Sequence, residues 1–225
     1  DVLGSRGLGD VYKRQLLLFH REEEEPFAVL PFPEAYKIGD VYSMIVYGLD
    51  IRDFEYAYRV DGPWDPEKGL LFDKKNILLD PYAKAVSGQR TWGTHWDPTY
   101  HARVVKDSFN WGDMPQSKKE LCDLIIYELH VRGFTVHESS GVQNRGTFAG
   151  LMEKIPYLRE LGINAVELMP IFEFDETMNA REINGERLLE YWGYNTVSFF
   201  APNTSFTSVN EYNRAVSYTH LTLPT

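Results

Sequence analysis

Three acidic residues lie close together in the second half of the chain. Glu173, Asp175 and Glu176 follow an apolar run that ends at Pro170. Two carboxyl groups can serve as general acid and general base when their surroundings keep one of them protonated and the other ionised. Acidic side chains are mostly exposed in folded proteins, however, and we expect this trio to form a solvated loop with one salt bridge.

A second candidate combines an acid with a histidine. Glu128 and His130 are two residues apart on a predicted strand, so their side chains would share one face. A catalytic dyad is one interpretation, but we expect a buried, hydrogen-bonded pair that stabilises the fold. The 6 histidines show no metal-ligand spacing and Cys122 is the only cysteine, so the sequence predicts neither a metal site nor a disulfide. It contains no phosphate-binding loop and no dinucleotide fingerprint.

The third candidate is the aromatic segment Tyr191-Trp-Gly-Tyr-Asn195. The flat face of an aromatic ring can stack on the apolar face of a sugar ring, and a tyrosine hydroxyl can also bond a neighbouring carboxylate. The alternative is that these rings only pack the segment against its neighbours. Residue types alone favour packing.

The composition argues against several classes of partner. Of the 225 residues, 43% are apolar, which is enough for one or two ordinary cores. The 33 acidic and 23 basic residues give a net charge of -10, which repels nucleic acid phosphates and anionic lipids, so neither nucleic acid nor membrane is expected as a partner. No apolar run approaches the roughly 20 residues that span a bilayer. Together with the single cysteine, these features predict a soluble, cytoplasmic protein.

The candidate residues follow or belong to a predicted strand–helix–strand unit. The apolar runs 124–129 and 163–169 are typical of strands that are covered on both faces. Between them, apolar residues recur at three- and four-residue steps and predict one helical face: Leu151, Ile155, Leu158 and Leu161. Pro156 should lie near the start of this helix, and Gly162 should adopt the left-handed conformation after its end. Such a unit predicts a parallel pair of strands.

The first half of the chain is rich in short strands. Residue types and alternation predict strands at 41–47, 54–60 and 102–106, and a short strand that begins at 76 and is stopped by Asp80-Pro81. A turn rich in Gly, Pro and Asp is predicted at 61–66, and a polar linker at 107–119. Short strands at this spacing suggest a β-sandwich.

Several motifs, taken in order along the chain, resemble one family. The segments Tyr56-Ala-Tyr-Arg-Val-Asp-Gly-Pro-Trp-Asp-Pro66 and Asn76-Ile-Leu-Leu-Asp-Pro-Tyr-Ala-Lys84 resemble the N-terminal immunoglobulin-like domain of isoamylases and glycogen debranching enzymes. Ile126-Tyr-Glu-Leu-His-Val-Arg-Gly-Phe-Thr135 and the aromatic segment are similar to the α-amylase superfamily of glycoside hydrolases. Leu168-Met-Pro-Ile-Phe-Glu-Phe-Asp-Glu176 narrows the resemblance to the isoamylase branch.

The resemblance implies a multi-domain β and α/β fold. An N-terminal immunoglobulin-like β-sandwich of the carbohydrate-binding type is expected at 16–118. It is followed at 119–215 by the first β-α-β part of a truncated TIM (β/α)8 barrel. The ends, 1–15 and 216–225, show no sustained period and resemble translated adapter sequence, so we set them outside the fold.

The resemblance also implies a function. It indicates retaining hydrolysis of α-1,6 branch linkages in an α-glucan of the glycogen or amylopectin type, with no cofactor. Tyr194 matches the position that stacks on the sugar being cleaved; Trp192 is expected to pack the segment, and Asn195 to make a polar contact, and these three are the candidate substrate-binding residues. No catalytic residue is expected within the chain, because the family's nucleophile, acid/base and stabilising carboxylates lie on later strands.

Two alternatives to debranching remain open, and the sequence gives no oligomeric state. One is another activity on the same scaffold, such as branching or the hydrolysis of pullulan or α-1,4-glucan. The other is a glycan-binding module without catalysis, with Trp64, Trp92 and Trp96 as its platform. For each of these tryptophans, packing is the interpretation that we favour.

Overall fold

A computed structural model describes residues 13–87, 91–94, 99–106, 119–178 and 180–208, and these residues divide into two compact units. The first unit holds the described residues up to Ala83 together with 99–104. The second holds 84–87, 91–94, 105–106 and the described residues from 119 onward. The stretch 84–94 falls within the predicted β-sandwich at 16–118, but its described residues belong to the second unit.

The first unit is built on an antiparallel sheet in the order β2-β1-β5-β9. Its strands are β1 (Lys13–His20), β2 (Pro26–Pro31), β5 (Phe54–Asp61) and β9 (Ala102–Arg103). β1 is an interior strand that pairs with both β2 and β5. Its residues Leu17 and Phe19 are fully buried in a cluster with Ala57, against which Ile77 packs. The remaining elements are two hairpins and two turns of 3-10 helix: β3 (Lys37–Ile38) with β4 (Val41–Tyr42), β6 (Trp64–Asp65) with β7 (Leu70–Leu71), Glu34–Tyr36 and Pro66–Lys68.

Several strands of this unit differ in extent from the sequence prediction. Lys13 to Gln15, which we had set outside the fold, form the start of β1 and pair with the end of β5. The other residues of the two ends, and Trp96, lie outside the described residues. The strand predicted at 41–47 is reduced to β4, and the short strand predicted before Asp80-Pro81 is reduced to a single bridge between Leu78 and Tyr58. Whether a segment forms a strand depends more on having a neighbouring strand to pair with than on its own β propensity. The local sequence does not reveal that neighbour.

One buried charged group stabilises the first sheet. Glu55 on β5 is fully buried, and Arg103 on β9 donates two hydrogen bonds of 2.8 and 2.5 Å to its Oε1. His101 Nδ1 lies 3.4 Å from Oε2. Burial by itself raises the pKa of Glu55, but the hydrogen bond to His101 and the charge of Arg103 outweigh it and leave the pKa lowered.

The second unit contains the predicted parallel pair of strands. β10 (Ile126–Leu129) and β11 (Ala165–Leu168) run parallel, with Ile126 opposite Ala165, which confirms this part of the prediction. β8 (Ala85–Val86) also belongs to this unit. Ile125 and Ile126 are exposed, so the expectation of a strand covered on both faces is wrong for the described residues. Among the described strands, β11 alone pairs with β10.

The connection between β10 and β11 holds three short helices: α1 (Val131–Thr135), α2 (Phe148–Glu153) and α3 (Ile155–Glu160). The single predicted helix is therefore two, separated at Lys154. Pro156 lies in the first turn of α3, as predicted, because it has no N–H to bond to the preceding turn. Gly162 has φ of +85°, also as predicted. Leu161 is exposed, contrary to expectation, whereas Leu151 and Leu158 are buried in the core with Leu129, Val131, Phe148, Phe174 and Phe206.

The remaining strands of the second unit follow β11. β12 (Phe172–Phe174) pairs antiparallel with β15 (Thr196–Pro202), and between them a hairpin projects that consists of β13 (Arg181–Ile183) and β14 (Glu186–Leu188). Further turns of 3-10 helix are Leu121–Asp123, Glu138–Ser140 and Thr204–Phe206. Among the described residues, no helix is long and apolar enough to cross a membrane. The sandwich and the barrel themselves stay predictions.

Candidate functional site

The segment Tyr191–Asn195, here called the aromatic loop, lies at the carboxyl ends of both parallel strands. His130 follows β10 directly, and its ring stacks on Tyr191 with centroids 4.2 Å apart and 16° between the planes. Pro170 follows β11, and its Cβ lies 3.2 Å from where a Cβ on Gly193 would be. In parallel α/β folds, this end of the strands is where binding sites form.

Within the aromatic loop Gly193 is buried, whereas Tyr191, Trp192 and Tyr194 are exposed, Tyr191 least of the three at 37%. Gly193 is buried, with φ of +82°, and a Cβ there would lie 2.8 Å from the ring of Phe174, so the position requires glycine. The side chains on either side of it, Trp192 and Tyr194, are 57% and 72% exposed. Glu190 fixes the turn, since its Oε1 accepts hydrogen bonds from the backbone N–H groups of Trp192 at 3.1 Å and Gly193 at 3.2 Å.

The three candidate substrate-binding residues are thus brought together in one loop. Tyr194 presents a free aromatic face, as its proposed role requires. Trp192 was expected to pack the loop, but it is exposed and the packing is done by Tyr191. Asn195 is half-buried; its Nδ2 donates to the backbone carbonyl of Asp175 at 3.3 Å, and its buried Oδ1 has no partner among the described residues. The sugar contacts of all three stay predictions.

Trp92, in the same unit as the aromatic loop, packs against it. Its ring stacks on Phe206 with centroids 6.1 Å apart and meets Tyr191 edge-on at 6.1 Å. The guanidinium of Arg132 lies 4.9 Å from the ring centroid, close enough for a cation–π contact. These contacts favour packing over a glycan platform for Trp92. Trp64 differs, because it is 63% exposed on the β6–β7 hairpin of the first unit.

The acidic trio is not the solvated loop that we expected, because Glu173 and Glu176 are both fully buried. The backbone N–H of Thr204 donates to Glu173 Oε2 at 2.8 Å, and that of Gly93 donates to Glu176 Oε1 at 2.6 Å. The second oxygen of each carboxyl group has no hydrogen-bond partner among the described residues. Asp175 accepts hydrogen bonds from Thr177 instead, from its N–H at 2.8 Å and its hydroxyl at 2.6 Å.

Burial changes the protonation of these two acids. It raises the pKa of Glu173 to about 8, although the hydrogen bonds from Thr204 act in the opposite direction. It also raises the pKa of Glu176, although the hydrogen bond from the N–H of Gly93 acts in the opposite direction. An isolated carboxylate is costly to bury, so the neutral acid is favoured. Neither side chain is exposed, so we expect both to act on the fold rather than on a substrate.

The predicted Glu128–His130 pair does not form, because Glu128 is exposed while His130 is buried. The prediction assumed a strand through both residues, but β10 ends at Leu129 and His130 is the N-cap of α1. Its Nδ1 accepts the N–H of Gly133 at 3.0 Å, and its Nε2 lies 2.8 Å from the carbonyl oxygen of Tyr191. Burial lowers the pKa of His130, with Arg132 adding to the effect and the bond to Tyr191 opposing it.

The described residues offer a stacking surface rather than a reactive centre. Trp192 and Tyr194 expose two aromatic faces on a rigid support, which suits an uncharged ligand with apolar faces. No group of three or more His, Cys, Asp or Glu in the described part of the chain could hold a metal ion.

The chain matches curated plant and bacterial enzymes over most of its length. It is 43% identical over 182 residues to "Isoamylase 3, chloroplastic" of Oryza sativa subsp. japonica, a match that covers 76% of this chain and 23% of the relative. It is 41% identical over 194 residues to "Isoamylase 1, chloroplastic" of Arabidopsis thaliana, covering 81% and 24%. The "Glycogen debranching enzyme" of Salmonella typhi is 32% identical over 203 residues, covering 81% and 30%.

Solved structures of pullulanases have a similar fold. The pullulanase from Bacillus acidopullulyticus matches with a TM-score of 0.67 at 23% identity and covers 92% of this chain and 24% of its own. The pullulanase of Anoxybacillus sp. LM18-11, complexed with maltotetraose, matches with a TM-score of 0.61 at 26% identity, covering 86% and 26%. No model of a protein family matches the chain.

The chain is homologous to proteins of the α-amylase superfamily. Its relatives within that superfamily include isoamylases and glycogen debranching enzymes. It spans about a quarter of the length of the curated relatives it matches, between 23% and 30%.

Proposed function

We propose that the chain is part of a retaining glycoside hydrolase that cleaves α-1,6 branch linkages in α-glucans of the glycogen or amylopectin type, and that its aromatic loop contacts the glucan. The observation that carries the proposal is the exposed ring of Tyr194 on a loop fixed at the carboxyl ends of β10 and β11. The relatives named as isoamylases and debranching enzymes support the activity.

Stacking on Tyr194 suits an α-glucan for a physical reason. A glucose ring carries C–H groups on its faces and hydroxyls at its edge, so a flat ring grips the face and leaves the hydroxyls free to bond elsewhere. The ligand is uncharged, and the net charge of -10 therefore does not repel it. The pullulanase structure with maltotetraose supports the same class of ligand.

The cleavage step itself requires groups that we do not expect within these residues. Retaining cleavage uses one carboxylate as nucleophile and a second, protonated carboxyl as general acid, about 5 to 5.5 Å apart across the bond. Glu173 and Glu176 cannot fill these roles, because both are buried and bound to backbone N–H groups. We therefore expect the full chain to release no reducing ends from amylopectin, and measurable release would contradict this part of the proposal.

Glucan contact is tested by affinity electrophoresis of the full chain in gels that contain glycogen. We expect glycogen to retard the wild type, and Tyr194→Ala to lose most of that retardation because the stacking face is gone. Tyr157→Ala is the matched control, since Tyr157 is an exposed tyrosine on α3 of the same unit. Equal retardation of both variants would refute glucan contact at the aromatic loop.

A second candidate function is glycan binding by the first unit without catalysis. It is favoured by Trp64, whose ring is exposed on a short hairpin. In the same gels, Trp64→Ala would then lose retardation while Tyr194→Ala keeps it. The other activities of the scaffold are branching and the hydrolysis of pullulan or α-1,4-glucan. They are distinguished by analysing the products of a protein that also contains the catalytic strands. A cytoplasmic location stays a prediction from the sequence.

A further inference from the structure

His130 links the end of β10 to the aromatic loop through three contacts. It is buried, with 7% of its surface exposed. One ring nitrogen bonds the first turn of α1, the other lies against the carbonyl oxygen of Tyr191, and the ring face stacks on the Tyr191 ring. Phe206 closes the remaining side edge-on, with centroids 5.5 Å apart.

These contacts fix which nitrogen carries the proton. The N–H of Gly133 can only donate, so Nδ1 of His130 must accept and be unprotonated. Nε2 then carries the hydrogen and donates to the carbonyl of Tyr191, 2.8 Å away. Both bonds together exist only in the neutral ring, because a proton on Nδ1 would face the N–H of Gly133.

Tyr191 is in turn the anchor of the exposed rings. Its hydroxyl occupies the space where a Cβ on Gly133 would be, so the ring interlocks with the first turn of α1. The peptide group that follows Tyr191 leads to Trp192, and Tyr194 lies two residues beyond across the buried Gly193. We therefore expect a shift of the Tyr191 carbonyl to change the orientation of both exposed rings.

We propose that His130 is a positioning residue of the glucan site: as a neutral imidazole it holds the Tyr191 carbonyl and ring, and thereby presents Trp192 and Tyr194 to the glucan. The inference rests on the proposed function, because it takes the aromatic loop as the place of glucan contact. It assigns His130 no contact with the glucan and no part in bond cleavage.

The proposal predicts that glucan binding depends on pH even though the ligand does not titrate. The charged and titratable groups around His130 are Arg132 on the same helix and Tyr191 on the loop, and Phe206 carries no charge. Glu176 interacts electrostatically with Arg132. Burial and Arg132 both favour the neutral ring, so the site is expected to work at neutral pH and to fail below the ordinary histidine value of about 6.5.

The test measures the association constant of the full chain for maltohexaose by calorimetry, between about pH 5 and pH 8. For the wild type we expect binding to weaken by up to tenfold for each pH unit below the pKa of His130, because only the neutral fraction is competent. His130→Gln has an amide N–H that can reach the Tyr191 carbonyl but does not titrate, so its binding should vary less with pH. His130→Phe keeps only the stacking, and should bind weakly at every pH.

His137→Gln is the matched control, because His137 also accepts a backbone N–H through Nδ1, from Ser139 at 3.2 Å, but is exposed and has no contact with the aromatic loop. It should behave as the wild type. If binding depends on Tyr194 but has the same pH profile in wild type and His130→Gln, the positioning role is refuted and the proposed function stands. If neither the wild type nor any variant binds maltohexaose, the positioning role and the proposed function are both refuted. Circular dichroism at each pH separates loss of fold from loss of positioning.

Discussion

Raising the pH is expected to destabilise the second unit through Glu173. Its pKa is about 8 in the folded chain against an ordinary value of 4.5, and it is fully buried. The folded state therefore holds a proton between these two pH values that the unfolded state releases, so the stabilisation is complete below about 4.5 and is lost as the pH rises to about 8. The difference of about 3.5 pKa units, at about 1.4 kcal/mol each, gives a loss of up to about 5 kcal/mol.

The assay is urea unfolding of the full chain followed by tryptophan fluorescence, since Trp92 packs edge-on against Phe174 beside Glu173. The free energy of unfolding should fall between about pH 5 and pH 8 by as much as about 1.4 kcal/mol per pH unit for this one proton. Glu173→Gln is neutral at every pH and keeps an oxygen that accepts the N–H of Thr204. It should flatten this dependence and be more stable than the wild type at the upper end.

Glu182→Gln is the control, because Glu182 is exposed on the β13–β14 hairpin. It should follow the wild type at each pH. Some slope will persist in Glu173→Gln, since burial raises the pKa of Glu176 as well. Parallel pH profiles for wild type and Glu173→Gln would refute the argument that a protonated acid stabilises the core.

Three further predictions concern stability and the loop. Glu55→Ala should destabilise the first unit by about 3 to 5 kcal/mol in urea unfolding, because it removes the carboxylate that accepts two bonds from the partly buried Arg103. Gly193→Ala should cost about 1 to 3 kcal/mol, because its φ is +82° and the new Cβ would meet Phe174, and retardation in glycogen gels should fall with it. Leu158→Ala should lower the free energy of unfolding by about 2 to 5 kcal/mol, since it leaves a cavity in the core of the second unit.

The parts of the fold that were predictable depend on short stretches of sequence. The parallel pair follows from two apolar runs with a helical pattern between them. Pro156 and Gly162 are placed by their own backbone preferences, whatever surrounds them. The extent of strands was predicted less well: 41–47 has strand composition throughout, but only Val41 and Tyr42 pair with a described neighbour.

The buried acids could not be predicted because their partners are distant in sequence. Gly93, which bonds Glu176, is 83 residues away, and Thr204, which bonds Glu173, is 31 residues away. Alternation along β12 would place Glu173 and Phe174 on opposite faces, yet both are buried. The register of β12 against β15 is irregular on each side of Glu173, and such irregularities re-aim side chains. No residue type in this segment signals that irregularity.

The position of the aromatic loop was predictable from the sequence, but the roles of its individual rings were not. The order of the motifs was enough to expect the loop beyond the second strand. Which ring packs and which is exposed depends on His130 and Trp92, which approach from other parts of the chain. As a result, Tyr191 has the supporting role that Trp192 was expected to have.

The β13–β14 hairpin offers a place to extend the molecule. All six of its strand residues are exposed, and its turn, Asn184-Gly185, has positive φ at both positions, as tight two-residue hairpins require. Its base is held separately, because the N–H of Glu190 bonds the carbonyl of Glu176 at 2.8 Å. Peptide tags or fluorescent labels inserted at the tip would therefore leave the rings of the neighbouring loop in place.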